Sequence, residues 1–124
     1  MMPVTTDSEE RLVALLAEAG RGPKRDGLYA LWLVVRAAEA LLWPARVSSK
    51  NHRRRLQAIE LRLGGLALPA PLKRALVAAR QHLEVATPEA AAGVLRQLVA
   101  PAREVLGADA AEAVNLAVRS AALH

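Results

Sequence analysis

At 124 residues and 53% apolar composition the chain has enough substance for one packed domain, and the absence of cysteine excludes disulfides, thiolate metal sites and cysteine nucleophiles. Phe is absent, the aromatics are Tyr29, Trp32 and Trp43, and 27 Ala, 21 Leu and 12 Val stand against the single Ile59, a balance that favours helix over strand. The formal net charge of +5 conceals a surplus of ten positive charges over residues 21–80 (13 Lys/Arg, three acids) and a deficit of five elsewhere (four Arg, nine acids).

The first residues have neither a basic stretch nor an apolar run, so no secretory leader is expected and a cytoplasmic location is. A first helix is predicted over about 7–19, opened by the overlapping capping pairs Thr6/Glu9 and Asp7/Glu10 and stopped at Gly20, with Leu12, Leu15, Leu16 and Ala19 inward. The second, over about 26–43, ends at Pro44. Its Leu28, Leu31, Trp32, Val35, Leu42 and Trp43 span most of the helix circumference, which predicts a central helix buried all round, with Leu31, Trp32, Val35 and Leu42 among the most buried residues. Arg36 and Glu39 are its only charges and are spaced to meet on one face. With two charges in 16 residues, the stretch 28–43 is a core helix rather than a membrane span.

The third helix runs from Ser48 or Ser49 to Leu63, with Leu56, Ile59 and Leu63 as its apolar stripe and His52 on the same side. Residues 66–71 form an extended apolar linker, and Pro71 opens a fourth helix reaching about Val85, with Leu72, Leu76, Ala79 and Leu83 inward. Thr87-Pro88-Glu89 caps a fifth helix, which carries Val94, Leu95, Leu98 and Val105, should kink or split at Pro101 and stops at Gly107. Asp109 with Glu112 starts a sixth, inward at Val114, Ala117, Val118 and Ala121. The expectation is an all-α fold: one compact bundle of about six helices over 1–124.

No glycine-rich phosphate loop, HExxH or Glu-x-x-His pattern occurs, so no cofactor and no metal site is expected. The distinctive segment is basic. Arg46, Lys50, Arg53, Arg54, Arg55, Arg62, Lys73, Arg74 and Arg80 stand against Glu60 alone, and such a density of Arg and Lys suits phosphate contacts. Ser48, Ser49 and Asn51, near a helix start, can add donors. No aromatic residue interleaves the segment, so base stacking is not expected from it.

Arg119 and His124 read Arg-x4-His. The pattern resembles the short Arg-x(4–6)-His signature of the HEPN family, all-helical proteins that include metal-independent ribonucleases working as dimers. The resemblance implies that Arg119 stabilises a phosphate and His124 moves a proton. Residues five apart on one helix, however, diverge by about 140°.

Three readings follow. The first is a non-enzymatic helical subunit whose basic segment contacts an RNA or DNA backbone or an acidic protein. The second is an HEPN-like ribonuclease. The third is a homo-oligomeric structural protein, self-associating through the apolar second helix or the 66–68 linker, with no polyanion ligand.

Overall fold

The computed structural model describes residues 7–42 and 48–122, and among these it contains six helices and no strand. They are α1 (Asp7–Ala19), α2 (Pro23–Leu41), α3 (Ser49–Gly65), α4 (Ala70–His82), α5 (Pro88–Leu106) and α6 (Ala108–Ala122). Thr6 and the 43–44 end expected for the second helix lie outside the described residues.

The ends follow local chemistry. Ser48 accepts a hydrogen bond from the Asn51 amide at 3.1 Å, and Thr87 accepts one from the Ala90 amide at 3.1 Å, each satisfying an orphan donor of a first turn. Gly107 alone joins α5 to α6. With φ at +104° its amide donates to the carbonyls of Ala102 and Arg103 while its own carbonyl accepts from Ala111, so one residue closes one helix and opens the next. Asp109 accordingly falls inside the first turn of α6.

α2 is the axis of the molecule: it packs against each of the other five helices. Those five form a sheath in the order α3, α4, α5, α6, α1, each packed on the next. Leu28, Leu31, Val34 and Val35 of α2 are fully buried, together with Leu12, Leu72, Leu76, Leu83, Leu95 and Leu98 from the sheath. Small residues let the sheath close in. Ala30, Ala37 and Ala38 are wholly covered, and a β-carbon on Gly27 would stand 2.8 Å from Leu106 Cδ2 and 3.1 Å from Leu72 Cδ2.

Three expectations need correction. Trp32 is only partly buried, because the sheath leaves one strip of α2 uncovered, formed by Tyr29, Trp32, Leu33, Arg36 and Ala40. Arg36 and Glu39 do not pair. Glu39 turns inward to accept a 2.7 Å hydrogen bond from Ser8 Oγ of α1, whereas Arg36 is exposed. Finally, α5 does not split at Pro101: it runs as one helix from Pro88 to Leu106, and it packs against α2, α4 and α6 although proline has no amide to donate.

The 66–69 linker is non-helical and tightens where the Leu68 amide donates to the Leu66 carbonyl at 3.2 Å, with Leu66 and Leu68 packed against the molecule's own core. No described helix is long and apolar enough to cross a membrane.

Gly27→Val should therefore lower stability by about 1–3 kcal/mol, since two methyls would enter filled space between α2, α4 and α5. Urea denaturation followed by circular dichroism checks this. A midpoint unchanged or raised relative to wild type would show that the close approach is not a constraint.

Candidate nucleic-acid interface

α3 packs against α2 and α4 and against no other helix to a comparable extent, so it forms one edge of the sheath. Its inner face is His52, Leu56, Ile59 and Leu63, all buried. The remaining arc is where its cations lie. Consecutive helical residues turn by about 100°, so Arg53, Arg54 and Arg55 fan across that arc. Arg53 falls on the α4 flank beside Glu60. Lys50 and Arg54 point straight out. Arg55 and Arg62, two turns apart, share the α2 flank.

The α3–α4 contact is fixed by polar bonds. Arg80 of α4, with 17% of its side chain exposed, donates from Nε to the Leu56 carbonyl at 3.2 Å, from Nη2 to Glu60 at 3.2 Å and from Nη1 to Glu84 at 2.9 Å. About one turn further toward the start of α3 a ring nitrogen of His52, Nε2, lies 2.8 Å from the Leu83 carbonyl. Of the nine basic residues singled out in the sequence, Arg80 is thus committed to holding two helices together. It also absorbs the two nearest acids.

The others divide by position. Arg46 lies outside the described residues. Lys50, Arg53 and Arg54 are exposed at the start of α3. Lys73 and Arg74 are exposed on α4, where with Ala70, Val77, Ala78 and Gln81 they line a shallow open depression. Because α3 and α4 run antiparallel, these two groups occupy opposite ends of one surface. Arg54 and Arg74 are separated by about nine residues along the axis, roughly 14 Å at 1.5 Å per residue. Among the described residues no acid stands within ion-pair distance of these five cations; the ion pairs shown join Arg80 to Glu60 and Glu84, and Arg119 to Glu112.

Arg55 and Arg62 complete the cluster on the α2 side, and here the structure brings in residues the basic segment itself lacks. The Arg62 guanidinium lies over the Tyr29 ring at 5.8 Å. Tyr29 stacks on Trp32, centroids 5.9 Å apart and planes inclined by 25°. The Arg36 guanidinium lies over Trp32 at 5.3 Å. The run Arg62, Tyr29, Trp32, Arg36 is a pair of stacked rings with a guanidinium over each, along the uncovered strip of α2. Among the described residues two donors at this seam are buried without a partner, Trp32 Nε1 and Arg55 Nη1. Each such donor costs about 1–3 kcal/mol relative to one that is bonded. The aromatic contribution was hidden from a reading of the basic segment because it comes from another helix; the spacing of Tyr29, Trp32 and Arg36 at three and four residues was the available signal.

The Arg119 side chain donates to Glu112 at 2.7 Å on the exposed face of α6, and His124 lies outside the described residues. Among the described residues there is no group of three or more metal-ligating acids and histidines.

Arg80→Met should lower stability by about 1–2 kcal/mol, most of it from the lost bond to the Leu56 carbonyl, since pairs with exposed acids contribute little. It should leave the salt dependence of polyanion binding unchanged. Lys50→Glu/Arg54→Glu should do the reverse, with an unfolding midpoint near wild type. Chemical denaturation and a salt titration of binding, run on both variants, check the division of labour.

No family model matches this chain, and neither curated proteins nor solved structures yield a match.

Proposed function

We infer that the protein is a small helical binding subunit that engages the phosphate backbone of a nucleic acid through the α3–α4 surface. The observation that carries this reading is the placement of Lys50, Arg53, Arg54, Lys73 and Arg74 on one side of an antiparallel helix pair, exposed and, among the described residues, in no ion pair, while Glu60 and Glu84 are held by Arg80. Five free cations on a surface of that length suit a polyanion, because each phosphate met releases condensed counterions.

A second reading is favoured by one observation. Leu61, 75% exposed on α3, and Val77, 37% exposed on α4, lie among the same cations. Apolar side chains beside a cationic surface also suit an acidic protein partner with an apolar ridge. Leu61→Ser separates the two: it weakens such a partner and leaves backbone binding intact.

The test is fluorescence anisotropy of a labelled mixed-sequence RNA at several salt concentrations. On a single strand these five cations alone should contribute about 3 to 4 to the slope of log K against log salt, at about 0.7 per phosphate. Lys50→Glu/Arg54→Glu should reduce that slope by about 1.4 or more and weaken binding at low salt. Absence of binding at low salt, or a double variant that binds as wild type does, would remove the nucleic-acid reading.

A further inference from the structure

We propose that the seam between α2 and α3 is the part of this surface that selects single-stranded over duplex nucleic acid, with bases stacking at Tyr29 and Trp32 and phosphates held by Arg36, Arg55 and Arg62. The proposal rests on the nucleic-acid reading above and names the form of nucleic acid that it takes.

The geometry starts from one contact. Arg62, near the end of α3, sits over Tyr29, near the start of α2, so the two helices run antiparallel at that level. Arg36 lies seven residues after Tyr29, and Arg55 lies seven residues before Arg62. Seven residues are close to two full turns, so each step returns to the same face. Two such steps, taken in opposite directions on antiparallel helices, bring Arg36 and Arg55 to the same level of the seam. Two guanidinium groups are thus set on neighbouring helices with no acid in ion-pair contact with either among the described residues. Arg55 Nη1 is buried and unpartnered, and so is Trp32 Nε1 between the two ends. A site built of cations and unsatisfied donors takes an acceptor with negative charge, and a phosphodiester oxygen has both properties.

The rings define the rest of the ligand. An anion alone needs no aromatic floor, whereas a nucleotide offers a π-face beside each phosphate. Single-strand binders join a basic groove to aromatic side chains on which bases stack, with Arg adding cation–π contacts. Here both rings carry a guanidinium already. A guanidinium on an exposed ring is weakly held, so a base can take its place while the arginine turns its in-plane donors to the adjoining phosphate. A duplex keeps its bases stacked inside the helix and can use only the cations.

The experiment compares a labelled oligo-dT strand of about 12 nucleotides with a mixed-sequence duplex of equal length at matched salt. The full chain is tested as wild type, as Tyr29→Leu and as Arg36→Gln/Arg55→Gln. The strand should bind more tightly than the duplex. Tyr29→Leu should weaken strand binding by about tenfold and change duplex binding less than twofold. The double arginine variant should reduce the salt slope on the strand by about 1.4. A second readout does not depend on either variant folding: in Trp43→Phe, which leaves Trp32 as the only indole, oligo-dT should quench the tryptophan emission and the duplex should not. Equal affinity for strand and duplex, or an emission that neither alters, would overturn the seam while leaving the backbone reading in place. Binding to neither at low salt would overturn both.

Discussion

The structure depends on enclosing α2 with side chains of small and medium size. With no Phe in the chain and few aromatics, the interior is filled by Leu, Val and Ala, and Ala contributes little area. Burial must come from close approach instead, which is what Gly27, Ala30, Ala37 and Ala38 allow along α2 and Ala110, Ala111, Ala113 and Ala117 along α6. Cylinders of equal width surround a central one when there are roughly six of them at interaxial distances of about 8–10 Å. This chain has five to offer. The position left open falls between α3 and α1, and the residues of α2 that face it are Tyr29, Trp32 and Arg36 together with Leu33 and Ala40. The same shortage of helices that exposes α2 makes α3 an edge element with a wide free arc.

Much of this architecture is legible in the sequence. The six helices, their order and most inward residues follow from 3.6-residue periodicity and from capping residues such as Ser48 and Thr87, because these are local signals. What periodicity does not contain is the number of neighbours a helix will find. α2 reads as buried all round because its apolar residues go all round, yet the fate of Trp32 depends on whether a sixth neighbour exists. The fate of Glu39 is equally non-local. Its spacing from Arg36 suggests a pair within one helix, and the bond it makes is to Ser8, 31 residues away. Pro101 shows the opposite case: a strong local breaker does not split a helix that packs against three others.

The basic segment was visible as composition but not as a surface. In sequence Arg80 is one of nine equivalent cations. In the fold it is a residue that builds the surface: two of its bonds, to the Leu56 carbonyl and to Glu60, join α4 to α3, and the third holds Glu84 at the end of α4. An arginine suits this place better than a lysine, since its planar fork meets a carbonyl and two carboxylates at once. The guanidinium offsets one of the two carboxylate charges and fixes where both acids lie, so the cluster carries one net negative charge beside the five exposed cations Lys50, Arg53, Arg54, Lys73 and Arg74.

The arrangement of the free cations also bears on what shape of polyanion they can meet. A rigid duplex lies along one face of a helix and reaches side chains within a limited arc. Arg53 and Arg55 lie about 200° apart around α3, so a straight rod that meets one does not meet the other. A flexible strand can cross from the α4 flank over Lys50 and Arg54 to the α2 flank, and its phosphates can then meet cations all the way round. The rings of Tyr29 and Trp32 lie at the end of that path, where a strand that has turned the edge of α3 brings its bases against α2. Edge position, fan of cations and aromatic strip are three consequences of one vacancy in the sheath, and together they favour a ligand that bends.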